Sequence, residues 1–251
     1  MRPDQYEPLP WIFWRWLFAI GLFIVVVALL LPAIQQARVT GGGPTCKNNL
    51  KQIGLAFHSY YDDNAFLPAQ VSEEPGYSWR VSLLRYVDQV PLDSEYDRTQ
   101  AWNTTANWPL AREWVPAYAC PQSSIPQTRG EPYYTSYAMP VGEGTVFQGT
   151  RMPKLDDITD GLSNTLFVVE ACDQKIIWTE PRDVLLETSR LGVNQRSGKP
   201  GDPPPLLSGP HKDGANVTMA DGSARFLSEK IDPETLRRLL LARDGLPVEK
   251  F

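Results

Sequence analysis

The sequence predicts an α+β fold in which a membrane-spanning helix precedes a domain made of a helix laid across a mainly antiparallel sheet. Three observations lead to this class: an apolar segment at residues 11–31, helical spacing of apolar residues after residue 45, and short turn-bounded runs that end in a hairpin pattern. We therefore expect a tail, anchor and glycine-rich neck over residues 1–44, and a single domain over residues 45–251.

The predicted anchor is apolar over 21 positions, apart from Arg15 near its entrance. A bilayer core requires about 20 such residues in a helix, and Trp11, Trp14 and Trp16 suit the membrane interface. A cleaved signal peptide is the first alternative, but its apolar stretch is shorter and no small-x-small cleavage pattern follows here. A buried core helix is the second alternative, and it seldom stays apolar on every side. The lipid bilayer is thus the expected partner of residues 11–31.

Composition limits the other partners. The chain has a net charge of −5 and no cluster of lysine and arginine, which argues against nucleic acid as a partner. Positive charges flank the anchor on both sides, so they do not determine its orientation. Cys46, Cys120 and Cys172 all follow the anchor. Two of them could form a disulfide in an oxidising compartment, or all three could be buried reduced thiols.

The helix that follows the anchor is predicted to break at residues 41–44, which read Gly-Gly-Gly-Pro. Thr45 can then cap a second helix. The apolar face of this helix has three- and four-residue spacing and consists of Leu50, Ile53, Gly54, Phe57 and Tyr61. Such a face needs a partner surface, and we expect a sheet formed by later strands.

The middle of the chain has weaker patterns. Residues 79–87 fit a helix or a strand equally well, and residues 88–116 show no period and suggest loops. Residues 165–169 indicate a buried strand, with residues 176–179 as its expected neighbour. The high proline and glycine content of residues 196–214 predicts an extended surface loop.

The C-terminal region has the clearest pattern. Two short runs, residues 215–220 and 223–228, flank Asp221 and Gly222, a pair favoured in two-residue type I′ hairpin turns. A closing helix should follow. Its expected N-cap is Asp232, its first-turn proline is Pro233, and its end is Gly245.

The sequence offers no convincing catalytic, cofactor or metal residues. The chain has only two histidines, His58 and His211, and it lacks the CxxC and HxxxH spacings of zinc sites. A serine hydrolase would favour G-x-S-x-G, which residues 161–165 do not complete. We instead expect His211 to form a hydrogen bond that fixes the proline-rich loop against the hairpin, and Asp221 to stabilise the hairpin turn.

Three tryptophans in loop-rich sequence, Trp102, Trp108 and Trp114, support an alternative function. If exposed, these rings could stack on a sugar, and the chain would then be a binding module for a carbohydrate or small solute. If all three fill the core, this interpretation loses its basis.

Several motifs together resemble the bacterial prepilin-like proteins grouped as domain of unknown function 1559. The two N-terminal motifs are residues 31–38 (LPAIQQAR) and residues 46–60, which begin with CKNNLKQIG. The others are residues 78–81 (SWRV), 118–121 (YACP) and 158–165 (ITDGLSNT), and His211 followed after nine residues by Asp221 and Gly222.

This resemblance implies a pilin-like domain held outside the cytoplasm by a helix in the cytoplasmic membrane. It also implies a disulfide between Cys46 and Cys120, which both lie in family motifs, and it implies no enzymatic activity. The chain departs from the family where a Gly-Phe processing site and a glutamate are usual, since residues 7–11 read Glu-Pro-Leu-Pro-Trp. We therefore expect a permanently anchored, non-enzymatic, pseudopilin-like protein with a structural or interaction role among envelope proteins.

Overall fold

The computed structural model describes residues 11, 16, 18–23, 42–73, 76–195, 199, 201–248 and 251. The chain divides into two compact units, Met1–Gly42 and Gly43–Phe251. In the first unit the described residues are helical, and their large apolar side chains are exposed. Among the described helices, none has both the length and the hydropathy of a membrane span. The rest of the predicted anchor, including residues 12–15, 17 and 24–31, lies outside the described residues.

The second unit is α+β with a mainly antiparallel sheet, as the sequence predicted. Its α-helices are α1 (Gly42–Asn64), α2 (Trp79–Ser82), α3 (Val90–Glu95) and α4 (Pro233–Leu240). The first five strands are β1 (Tyr134–Thr135), β2 (Tyr137–Ala138), β3 (Pro140–Val141), β4 (Leu166–Glu170) and β5 (Ile176–Ile177). The others are β6 (Val184–Leu185), β7 (Arg190–Val193), β8 (Pro205–Leu207), β9 (Gly214–Met219) and β10 (Ala224–Ser228).

The main sheet has the strand order β10-β9-β4-β2, and each neighbouring pair is antiparallel. Three two-stranded pairs surround it: β1 with β5 is antiparallel, whereas β3 with β6 and β7 with β8 are parallel. Short 3₁₀ turns connect these elements, including Leu84–Val87, Pro116–Tyr118 and Leu162–Asn164.

Strand β4 is buried along its whole length because it contributes to two hydrophobic clusters. Phe167 and Val168 belong to the cluster that contains residues of α1, whereas Leu166 and Val169 belong to the cluster that contains residues of α4. A register shift between Leu166 and Val168 interrupts the usual alternation. This explains the continuous apolar run from which the strand was correctly predicted.

Helix α1 approaches the β9–β10 hairpin closely. A Cβ atom on Gly54 would lie 2.7 Å from the carbonyl oxygen of Gly222. The hydroxyl of Thr218 donates to the carbonyl of Leu50 at 2.8 Å, and a ring nitrogen of His58 lies 3.0 Å from the carbonyl oxygen of Ala220. The predicted packing of this helix on a later sheet is therefore confirmed.

Two predicted helix boundaries were wrong. Helix α1 begins at Gly42, not after a cap at Thr45. Proline is tolerated in the first turn of a helix, because an N–H group there would have no acceptor within the helix. The closing helix α4 starts as predicted, with the Asp232 carboxylate accepting from the backbone of Thr235 at 2.8 Å. It ends at Leu240, before the predicted end at Gly245. The helix does not continue because the backbone N–H of Ala242 donates to the carbonyl oxygen of Gly144 instead of to the helix.

Three predictions of strand pairing and loops also need correction. Residues 176–177 pair with β1, since β2 and β9 occupy both edges of β4. The proline-rich loop contains the buried strand β8, which pairs with β7 in a two-stranded sheet, and proline is tolerated in such edge strands. Residues 79–87 are helical, as α2 and a 3₁₀ turn, and α3 interrupts the predicted loops at 88–116.

The hairpin itself is confirmed, but its turn differs from the predicted one. Met219 donates to the carbonyl of Ser223, so three residues form the loop. Only Gly222 among them has a positive φ, of 79°. A type I turn followed by a left-handed glycine fits this pattern, which is common in three-residue hairpin loops.

Candidate functional site

A cluster of polar contacts lies around Glu170, the last residue of β4. Its carboxylate is fully buried and accepts from the backbone N–H of Asn216 at 2.7 Å and from the Asn216 side chain at 3.2 Å. Nε2 of His211 lies 2.8 Å from Oε1 of Glu170. Where the carboxylate is ionised it can only accept, so the imidazole is then the donor. Glu170 thus joins the His211 loop to strand β9.

A disulfide between Cys46 of α1 and Cys120 lies directly against this pair. The two Sγ atoms, a carboxylate oxygen of Glu170 and a ring nitrogen of His211 all lie within 4.8 Å of one another. The Asn49 side chain donates to the carbonyl of Ala119 at 2.8 Å and so holds the Cys120 segment beside α1. We call Cys46, Cys120, Glu170 and His211 the Glu170 cluster.

The third cysteine, Cys172, is a buried free thiol two residues beyond Glu170. Its Sγ atom is 3.9 Å from the carbonyl oxygen of Ser136. Burial, with the nearby Glu170 carboxylate as a smaller cause, raises the pKa of Cys172 to about 12. Because the thiolate is the reactive form, this cysteine is chemically inert in the folded protein at neutral pH.

The structure does not bring His211 together with Asp221 and Gly222. Strand β9 separates them, and Asp221 lies in the hairpin loop, where its carboxylate accepts from the backbone of Ser223 at 2.8 Å. Gly222 faces His58, since a Cβ atom there would lie 3.2 Å from the imidazole. The nine residues between His211 and Asp221 therefore contain strand β9, and a stabilising contact lies at each end of the strand.

A buried ion pair that was not predicted from the sequence lies beside strand β2. Arg80 Nη2 is 2.8 Å from Asp183 Oδ1, and both side chains are fully buried. The same oxygen accepts from Trp79 Nε1 at 3.1 Å and from Met139 N at 2.9 Å, while Arg80 also donates to the carbonyl of Tyr137. The only signal in the sequence was the position of Arg80 between two apolar residues of the SWRV motif.

A polar groove with a volume of about 310 Å³ lies where α1 meets the α2–α3 region. Asp93 pairs with both Arg85 and Arg98, and the guanidinium groups of these arginines are partly exposed. The ring of Tyr60 meets the ring of Tyr86 edge to face, 5.7 Å between centroids. The full lining is Tyr60, Asn64, Tyr77, Ser82, Arg85, Tyr86, Asp93 and Arg98. No sequence motif marks this groove, because its residues come from several separate elements between residues 60 and 98.

The three tryptophans proposed for sugar stacking do not line this groove. Trp102 and Trp108 are half-buried and lean against each other, with ring centroids 5.9 Å apart. Trp114 is 44% exposed and packs edge to face with Tyr133 at 5.1 Å. None of the three is fully buried, so the stacking hypothesis remains open.

Comparison with known proteins identifies one family. A family model described as "Protein of unknown function (DUF1559)", with the short name SBP_bac_10, matches residues 35–234. The match includes α1, every strand and the whole Glu170 cluster. No curated protein and no solved structure matches the chain.

Proposed function

Because the chain belongs to the DUF1559 family, whose description gives no function, we propose that it is a non-enzymatic, membrane-anchored, pseudopilin-like protein with a structural or interaction role in the bacterial envelope. In this proposal, residues 11–31 cross the cytoplasmic membrane and the second unit lies outside the cytoplasm. The family resemblance of the motifs supports this orientation.

The main support for the anchor is the exposure of large apolar side chains in the first unit. Phe18 is 75% exposed and Phe23 is 67% exposed, on residues that are helical. Leu22 and Ile20 are also more than half exposed. Contiguous exposed apolar side chains of this size mark a surface that is normally covered by lipid or protein. The apolar stretch to residue 31 makes lipid the expected cover.

The architecture of the second unit supports the pilin-like role. A long leading helix, α1, packs on an antiparallel sheet. A disulfide joins Cys46 of this helix to Cys120. Two buried carboxylates are used in internal bonds: Glu170 binds Asn216 and His211, and Asp183 binds Arg80 through Oδ1. These bonds support a structural rather than a catalytic use of the groups.

Membrane extraction of the full-length protein tests the anchor. We expect the chain to remain in the membrane pellet after alkaline carbonate washing, and F18R/F23R to be released because charge in a bilayer is costly. The matched control is Leu246→Arg, a similar change at an exposed apolar residue of the second unit. Release of the unaltered protein by carbonate would contradict the anchor.

Mass spectrometry of the native N-terminus tests whether the anchor is permanent. We expect the native chain to retain residues 1–10, since residues 7–11 lack the family's usual processing site. A chain cleaved just before the apolar segment would instead support a processed filament subunit. Reporter fusions at the C-terminus, active only outside the cytoplasm, test the proposed orientation.

The groove at Arg85 and Arg98 supports a second candidate function, the binding of a carbohydrate or small polar solute. Tyrosine rings and partly exposed guanidinium groups line it, a combination typical of sites for hydroxyl-rich or anionic ligands. Screening of the protein against a glycan and metabolite library by calorimetry tests this function. Arg85→Ala should abolish any binding, whereas Arg129→Ala, at an exposed arginine outside the groove, should not.

A further inference from the structure

We propose that the Glu170 cluster is a redox-gated site for a divalent transition-metal cation of the Zn²⁺ class. In the disulfide form the sulfurs are bonded to each other and the site is closed. When the disulfide is reduced, two thiolates, one imidazole and one carboxylate become available as ligands. This inference is independent of the proposed envelope function.

The first support is the composition of the donor set. Zinc is held in proteins by cysteine sulfur, histidine nitrogen and carboxylate oxygen, and two cysteines with a histidine and a fourth ligand make a usual tetrahedral shell. The Glu170 cluster contains two cysteines, one histidine and one glutamate. No further residue is needed to complete four-coordination.

The second support is proximity. The four donor atoms lie within 4.8 Å of one another. A tetrahedral zinc ion with bonds of about 2.0–2.3 Å places its ligands roughly 3.3–3.8 Å apart. Once the sulfur–sulfur bond is cut, the two Sγ atoms can separate to that distance, and the 2.8 Å between Nε2 of His211 and Oε1 of Glu170 has to widen by about 0.5 Å.

The third support is the environment of the carboxylate. Glu170 is fully buried, and Asn216 donates to it twice, which fixes its orientation toward the sulfurs. Such outer donors are typical around metal-binding carboxylates. The His211 side chain is 9% exposed, and it is the most exposed of the four residues in the cluster.

Opening of the site requires a reductant. A phosphine or dithiol supplies two electrons, which break the sulfur–sulfur bond, and two protons from water complete the thiols of Cys46 and Cys120. The incoming cation displaces these two protons, and the proton on Nε2 of His211 moves to Nδ1. Reoxidation by a disulfide oxidant removes two electrons, reforms the bond and expels the ion.

The four ligands come from separate elements, namely α1, the segment after the Pro116–Tyr118 turn, strand β4 and the loop before β9. For this reason the four residues form no short metal-binding motif such as CxxC or HxxxH. The expectation that the chain has no metal site was based on the absence of such motifs. The fold brings together donor residues as distant along the chain as Cys46 and His211.

Cobalt titration of the full-length protein tests the proposal. Oxidised and phosphine-reduced samples, first freed of metal, are titrated with Co²⁺ and then Zn²⁺, with absorbance and metal analysis. We expect the reduced protein to bind one ion per chain and to show a thiolate-to-cobalt charge-transfer band. The oxidised protein should show neither.

Variants identify the ligands. Cys46→Ser should remove the charge-transfer band, and His211→Gln and Glu170→Gln should each weaken Zn²⁺ binding by more than about 100-fold, beyond the effect of losing an outer-shell partner. Cys172→Ser is the matched control, since it removes a thiol near the site without removing a ligand. Circular dichroism of each metal-free reduced variant separates lost binding from lost folding.

Two results would overturn the proposal. One is a folded, reduced protein that binds no Co²⁺ or Zn²⁺. The other is binding that survives in folded His211→Gln and Glu170→Gln proteins or disappears in Cys172→Ser, which would place the ion on other residues.

Discussion

The buried pair of Arg80 and Asp183 is the residue-scale interaction whose loss should cost most. Both side chains are fully buried, so removing one partner leaves an uncompensated charge in the interior. We expect Asp183→Ala to lower the free energy of unfolding by about 3–5 kcal/mol. Urea denaturation measures this loss.

The matched control for this prediction is Glu234→Ala. Glu234 pairs with Arg238 on the surface of α4, and its side chain is 57% exposed. Such a pair contributes only about 0.2–0.5 kcal/mol. Equal losses in the two variants would show that burial does not govern the strength of these ion pairs.

Cys172 should make stability sensitive to alkaline pH. Burial raises its pKa from 9.0 to about 12, so the folded state holds the proton more tightly than the unfolded state. The resulting stability is fully present below about pH 9 and is lost as the pH rises toward 12. We expect Cys172→Ala to flatten the alkaline part of the curve of unfolding free energy against pH.

Thiol labelling provides a second measurement on the same residue. In the native oxidised protein, iodoacetamide at about pH 8 should label Cys172 only at the rate of unfolding, because the residue is buried and its thiolate is scarce. Fast labelling without denaturant would contradict both the burial and the raised pKa.

Single residues also show where sequence reasoning reached its limit. His211 and the two bridged cysteines lie in recognisable motifs, and the structure places them together. Glu170 lies at their centre but was missed, because it ends an apolar strand and nothing local marks it as a partner of His211. Asp183 was missed for the same reason, since its partner Arg80 is 103 residues away.

At the scale of elements, the contact of α1 with the hairpin depends on Gly54. A Cβ atom there would lie 2.7 Å from the Gly222 carbonyl oxygen and 2.9 Å from the Thr218 side chain. A backbone atom cannot move aside cheaply, so α1 must shift. We expect Gly54→Ala to lower the free energy of unfolding by about 1–2 kcal/mol, although alanine favours helix by about 1 kcal/mol.

Gly21→Ala is the control for the Gly54 prediction. Gly21 is also helical, but a Cβ atom there meets nothing within 4 Å. This change should leave the unfolding transition of the second unit unaltered. If Gly54→Ala were equally neutral, the close approach of helix and hairpin would not limit stability.

Elements with strong local signals could be predicted from the sequence. The face of α1, the apolar run of β4 and the start of α4 at Asp232 were correct, because spacing and capping determine them locally. Pairing could not be predicted in the same way. The partner of β5 is β1, and this depends on which strands already occupy the edges of β4.

At the scale of the whole molecule, the disulfide closes a loop with a sequence separation of 74 residues. Loop-closure entropy for this length corresponds to about 4 kcal/mol, and measured values are typically about 2–4 kcal/mol. We expect reduction in metal-free buffer to lower the free energy of unfolding by about 2–4 kcal/mol, measured by urea denaturation. No change in midpoint on reduction would mean that the bridge adds nothing to the stability of the fold.

The contact between α1 and the hairpin also determines when the domain can fold. Leu50 bonds to Thr218, 168 residues later in the chain. The side of α1 that faces the hairpin therefore has no partner until almost the entire chain has been synthesised, and contacts this distant in sequence slow folding. A ribosome-bound chain that ends before residue 214 should leave the surface of α1 at Leu50 and Gly54 uncovered by the hairpin, and it would then be a substrate for chaperones.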